Sequence, residues 1–63
     1  MRTYFYLNDK ETTRKELRNI VGTNKLQELV DFARNLYHAS KSVTAEKYYI
    51  TVDSNMIGIE FVG

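Results

Sequence analysis

The sequence contains no cysteine, no proline and no tryptophan, and only three of its 63 residues are glycine. Without cysteine, neither disulfides nor thiolate metal ligands are present to stabilise a small fold. A chain of this size buries only about 60% of the surface that its unfolded form exposes. We therefore expect a marginal core that depends on close packing or on association with a partner.

A large excess of one charge and a long apolar run are also missing. The net charge of +1 argues against strong attraction of the whole surface to nucleic acid or to an anionic membrane. No apolar run approaches the ~18 residues that cross a bilayer, and residues 1–10 lack the apolar centre of a signal peptide. The sequence thus predicts a cytoplasmic protein without membrane association.

The dominant pattern lies in residues 24–40. Apolar and small side chains recur there every three or four positions, which predicts a long α-helix with one buried face. The members of this stripe are Leu26, Leu29, Val30, Ala33, Leu36, Tyr37 and Ser40.

A shorter helix is predicted over about Arg14–Val21. The Thr13 hydroxyl can accept a hydrogen bond from the amide of Glu16, whose carboxylate can reach back, as in a capping box. Gly22 suits the backbone conformation that ends such a helix. Thr23 or Asn24 is then expected to cap the long helix.

Three further stretches alternate with the period of two that is typical of strands: Arg2–Asn8, Lys47–Asp53 and Ile57–Val62. A two-residue Ser54-Asn55 turn would join the last two into a hairpin. The side chains predicted to face the long helix are Phe5, Leu7, Tyr48, Ile50, Val52, Ile57, Ile59 and Phe61.

In the register that this turn sets, Val52 lies opposite Ile57 and Ile50 opposite Ile59, so that inward residues meet inward residues. Residues 41–46 are expected to form a loop. The predicted architecture is a single small α+β domain over residues 1–63. Its elements follow the order β-α-α-β-β, with a three-stranded sheet packed on one long helix and a C-terminal hairpin.

Residues for catalysis are scarce. The single histidine, His38, is predicted to lie on the polar face of the long helix. No spacing suggests a nucleophile with its base, a pair of acidic groups or a phosphate-binding loop. We therefore expect no enzymatic activity, no cofactor and no metal site.

The outward face of the sheet is the first candidate site. Alternation sends Tyr4, Tyr6 and Tyr49 to that face. Tyrosine is enriched at protein interfaces, but aromatics on an open sheet also stack single-stranded bases or stabilise a thin sheet by pairing across strands. Phe32, at the edge of the long helix's apolar stripe, is a further candidate anchor for a partner.

The helix pair is the second candidate site. A short helix, a glycine turn at Gly22 and a second helix resemble the helix-turn-helix pattern, and the hairpin that follows makes the order resemble a truncated winged helix. That resemblance implies a second helix that reads DNA. A basic patch of Arg14, Lys15 and Arg18 lies on the short helix. It could face phosphates or an acidic partner, or it could be a solvated face balanced by nearby Asp9 and Glu11.

Two functions follow from these features. The first is a non-enzymatic protein-interaction domain, by analogy of size and composition with phage or mobile-element accessory proteins that bind and inhibit a host factor such as a defence nuclease. Its partner is another protein or a second copy of the chain. The alternative is a nucleic-acid-binding module of the helix-turn-helix type.

Overall fold

The computed structural model describes residues 2–40 and 45–63. It has the predicted α+β architecture, with two helices and an antiparallel sheet. The elements in chain order are β1 (Arg2–Leu7), β2 (Lys10–Thr12), α1 (Arg14–Val21), α2 (Thr23–Ala39), β3 (Ala45–Val52) and β4 (Asn55–Val62).

The sheet contains four strands in the order β2-β1-β4-β3, not the three that were predicted. The additional strand, β2, pairs with β1 through a two-residue turn at Asn8 and Asp9, whose φ angles are 49° and 70°. Positive φ at both central residues is the geometry that matches the twist of a tight hairpin. The three residues of β2 are polar, so they carry no alternating hydrophobic pattern that could have revealed the strand.

The C-terminal hairpin is present, but its register differs from the prediction by two residues. The turn is formed by Asp53 and Ser54, with φ angles of 48° and 69°, and not by Ser54 and Asn55. As a result Ile50 pairs with Ile57. The predicted loop over residues 41–46 extended two residues too far, because Ala45 and Glu46 belong to β3. Residues 41–44 of that loop lie outside the described residues.

The predicted start of α1 is confirmed, whereas the predicted cap of α2 is wrong. The Glu16 amide donates to Thr13 Oγ1 at 3.2 Å, and the Glu16 carboxylate accepts from the Thr12 hydroxyl at 2.6 Å. Gly22, with φ 90° and ψ 156°, ends α1 and also precedes α2, so Thr23 is already the first residue of that helix. This backbone region is essentially restricted to glycine. Gly22 thus allows the chain to leave α1 and begin α2 in a new direction within one residue.

Both helices pack on one face of the sheet and form the core with it. α1 contributes Leu17, and the ring of Tyr37 near the end of α2 lies 5.4 Å from the ring of Phe61 in β4. Among the described residues the buried hydrophobic side chains are Phe5, Leu17, Leu26, Leu29, Val30, Ala33, Ile57, Ile59 and Phe61. We call the side of the sheet that carries Phe5, Ile57 and Ile59 the inner face and the opposite side the outer face.

Candidate functional site

The outer face carries the three tyrosines that were expected there. The strand register places Tyr4 opposite Glu60, and it places Tyr6 and Tyr49 on either side of Gly58. In β1, Tyr4 and Tyr6 lie on either side of buried Phe5. In β4, Gly58 and Glu60 alternate with the buried residues that face the helices. Within residues 2–40 and 45–63 no helix covers this face, since both helices contribute to the core on the other side.

Tyr6 is held in place by polar contacts on the outer face. Its hydroxyl donates to Glu60 Oε1 at 2.7 Å, and the Lys47 ammonium lies 4.0 Å from the centre of its ring. The hydrogen bond to Glu60, together with desolvation and the charges of Glu60 and Glu11, raises the pKa of Tyr6 to about 12. The hydrogen bond to Glu60 and the contact with Lys47 hold the Tyr6 ring in place on the outer face.

Tyr49 and Tyr6 cover the glycine between them. A Cβ atom added at Gly58 would lie 3.1 Å from Cβ of Tyr6 and 3.2 Å from Cε1 of Tyr49. An aromatic ring that covers a strand glycine stabilises the sheet there. Tyr49 is nevertheless 51% exposed, so part of its surface remains available to a partner.

Glu60 belongs to this site although sequence reasoning did not select it. Glu60 lies 54 positions beyond Tyr6 and becomes its neighbour only because β4 pairs with β1. The sequence left open which edge of the hairpin receives the first strand, and that choice decides which side chains surround the tyrosines. The alternation of β4 was the one available signal, because it turns Glu60 outward.

Phe32 does not join the tyrosines. It lies on α2, which packs against the inner face, and it is 58% exposed. Leu36, one turn further along, is 40% exposed, although the helical stripe had placed it in the core. These two side chains form a second apolar surface, which we call the α2 flank.

The predicted basic patch is divided by its contacts. The Arg14 guanidinium lies 5.0 Å from the centre of the Phe5 ring, at the start of α1, whereas Lys15 and Arg18 are exposed. The cation–π contact directs Arg14 toward the inner face of the sheet. The patch therefore shares no surface with the tyrosines.

The exposed side of α2 is electrically mixed. Lys25 lies 4.0 Å from Glu28, and Arg34 lies 3.9 Å from Asp31, which also accepts a hydrogen bond from Gln27 at 2.9 Å. Exposed pairs of this kind contribute little to stability. They do place a carboxylate beside each of the two cations, so α2 does not present a continuous positive surface.

Other kinds of site find no support in the described part of the chain. Residues 2–40 and 45–63 contain no pocket and no group of three acidic or histidine side chains placed to hold a metal ion. In the same residues no helix has the length and apolar character needed to cross a membrane. His38 is exposed, with its ring 5.9 Å from that of Tyr37.

Comparison of the chain with protein-family models, with curated proteins and with solved structures gave no match. The functional interpretation therefore depends on the geometry of the two surfaces described above.

Proposed function

We propose that the chain is a small, non-enzymatic protein-interaction domain that binds its partner through the outer face of the sheet. The observation that carries this proposal is the position of both helices on the inner face, which leaves Tyr4, Tyr6 and Tyr49 without a covering layer in the described residues. Tyrosine combines a large apolar ring with a polar tip, and it dominates many protein-binding hot spots.

The order within the outer face favours binding. The contact of Tyr6 with Glu60, and the packing of Tyr49 over Gly58, fix two rings before any partner arrives. Because ordered side chains lose little conformational entropy on association, such a surface binds more tightly than a flexible surface of the same composition. Lys47, between the two rings, adds a positive charge that selects partners with a complementary acidic group.

A narrower hypothesis concerns the partner itself. Size and composition suggest an accessory protein from a phage or mobile element that acts in the cytoplasm and inhibits a host factor such as a defence nuclease. The outer face is compatible with this hypothesis because inhibition by a small domain requires only one well-ordered binding surface. Identification of the bound protein tests it directly.

The nucleic-acid alternative has weaker support. In a helix-turn-helix protein the second helix is positive and reads the major groove, but here carboxylates accompany the cations of α2. We expect no mobility shift of DNA or RNA at physiological salt. A tight shift that weakens steeply with salt, and disappears on replacement of Arg14, Lys15 and Arg18 by Ala, would favour the alternative.

The decisive experiment is affinity capture from an extract of the source organism, with and without nuclease treatment. The Tyr4→Ser, Tyr49→Ser double variant retains Tyr6 and its bond to Glu60, so the sheet is expected to fold while the partner is lost. A Gln27→Ser, Asn35→Ser double variant, altered at two exposed positions of α2, serves as the matched control. Retention of the partner by the tyrosine variant, with an unchanged circular dichroism spectrum, would place the binding surface elsewhere.

A further inference from the structure

The two edges of the sheet differ in length and in chemistry. One edge is β2, which has three residues, including Lys10 and Glu11. The other edge is β3, which has eight residues, pairs continuously with β4, and contains no proline. Among the described residues no strand pairs with the far side of β3. Natural proteins usually shorten, charge or interrupt such edges because an unpaired strand recruits another strand. The β3 edge lacks these protections apart from its two charged residues.

The pairing pattern identifies the groups that β3 leaves unpaired. The Asn8 amide donates to the carbonyl of Met56 at 2.8 Å, so in β4 the even-numbered residues direct their backbone groups toward β1. The odd-numbered residues of β4 then bond to β3, where their partners are even-numbered. The residues of β3 whose N–H and C=O groups face away from the sheet are therefore Ala45, Lys47, Tyr49 and Thr51.

Lys47 is the residue of β3 expected to prevent pairing with another strand, since a lysine on an edge strand opposes such pairing. Its ammonium instead lies 4.0 Å from the ring of Tyr6, which belongs to β1 on the far side of β4. The side chain thus points back across the sheet. Its charge is directed away from an incoming strand.

An apolar surface continues from this edge. Arg14 lies over Phe5 of β1, which places α1 above that half of the sheet, whereas α2 contacts β4 and β3. Tyr37 is near the C-terminal end of α2, and it contacts Phe61, which is near the C-terminal end of β4. The two elements therefore run in roughly the same direction. For a right-handed helix in that orientation, Phe32 and Leu36 project from the side away from α1, above β3. The exposed α2 flank and the unpaired edge therefore face the same direction.

We propose that this side of the molecule binds a second copy of the chain, so that two β3 strands pair antiparallel about a two-fold axis at Tyr48. The two sheets then form one continuous sheet of eight strands. This register places Ala45 opposite Thr51 and Lys47 opposite Tyr49 of the second copy. It pairs all four residues with free backbone groups, and it sets no like charges opposite each other. The two α2 flanks meet above the axis, which explains the exposure of Phe32 and Leu36 in the single chain. A second copy fits because the β3 edge and the α2 flank are self-complementary. Each chain contributes the same surface to the contact, as in an isologous interface.

The register gives a test by charge exchange at two exposed positions, Ala45 and Thr51. The oligomeric state is measured by sedimentation equilibrium over a dilution series. The wild-type chain is expected to be a dimer, and Ala45→Lys with Thr51→Lys is expected to raise its dissociation constant about tenfold, because like charges then lie opposite each other twice. Ala45→Glu with Thr51→Lys should restore the wild-type value. If the axis lay at Tyr49 instead, the Thr51→Lys side chain would face Lys47, and this second variant would stay weak.

Two controls separate the edge from general effects. Gln27→Lys with Asn35→Lys adds the same charge to α2. Because these two sites lie outside the proposed contact, the dissociation constant should stay within about twofold of the wild-type value. Phe32→Ser should weaken the dimer, whereas Asn35→Ser should not. Circular dichroism shows that each variant is folded. A wild-type chain that remains monomeric at its highest soluble concentration, or a dimer that responds to neither charge exchange, would overturn the proposal. Because these variants keep Tyr4 and Tyr6, failure here would leave the proposed function of the outer face in place.

Discussion

The two faces of the sheet have the same alternating backbone but opposite surroundings. On the inner face Ile57, Ile59 and Phe61 are completely buried under the helices. On the outer face the neighbouring positions of β4 hold Gly58 and Glu60, which interact with tyrosines instead of a second layer. The difference shows how a chain of this size divides its apolar residues. One face supplies the core, and the other keeps large rings ordered by polar contacts while leaving them partly exposed.

The largest effect is expected where the inner face is most completely buried. Ile59→Ala removes a side chain with no exposed surface, and such truncations cost about 2–5 kcal/mol. A domain with a marginal core would then be largely unfolded. Ile50→Ala, on the half-buried edge strand, should cost less. Chemical denaturation followed by circular dichroism measures both, with Thr51→Ala on the outer face as the control. If both substitutions lowered the free energy of unfolding equally, Ile59 would contribute no more to the core than the half-buried Ile50 of the edge strand.

The next effect concerns Gly22, the single residue that separates the two helices. Gly22→Ala places a side chain at φ 90° and ψ 156°, where strain costs on the order of 1–3 kcal/mol. Beyond Gly22 and its two neighbours in the chain, no atom lies within 4 Å of the added Cβ, so a loss of stability would come from backbone strain. Thermal unfolding measures it, with Asn24→Ala at an exposed helix position as the control. An unchanged melting temperature would mean that the junction between α1 and α2 tolerates another backbone conformation.

A smaller effect tests how the outer face is stabilised. Because Tyr49 covers Gly58, Tyr49→Ser should cost more stability in the wild-type chain than in the Gly58→Ala background, where a methyl group already fills that space. Contacting residues couple by about 0.5–1 kcal/mol or more. The free energies of unfolding of the four chains in this double-mutant cycle give the coupling directly. Strict additivity would show that the ring does not protect the glycine.

The smallest effect appears only at high pH. The pKa of Tyr6 is raised to about 12 by its bond to Glu60, while an unfolded tyrosine titrates near 10. The stability contributed by the protonated phenol is therefore fully present below pH 10 and is lost as the pH rises from about 10 to about 12. Tyr6→Phe should remove this loss. The absorbance of tyrosinate during a pH titration should likewise lose its component near pH 12 in the variant, and a titration identical to that of the wild type would contradict the assignment.

Much of this fold follows from local patterns in the sequence. Thr13 and Glu16 begin α1 as predicted because a capping interaction involves neighbouring residues only. The stripe of Leu26, Leu29, Val30 and Ala33 faces the sheet because helical periodicity alone groups those side chains. The same holds for the inner and outer faces of the strands. A register error of two residues at Asp53 and Ser54 left every side chain on its predicted face, since the period of a strand is two.

Only the tertiary structure decided the pairings between distant segments. β2 exists because β1 offers it a partner, and its polar residues carry no signal of their own. Glu60 reaches Tyr6 because β4 lies beside β1 at the centre of the sheet, a choice made by the packing of the whole core. Leu36 is 40% exposed because the apolar stripe of α2 is wider than the surface that the sheet and α1 bury in the described residues. Periodicity determines which way a side chain points. The free energy of its burial depends on how much of its apolar surface other segments cover in the folded structure.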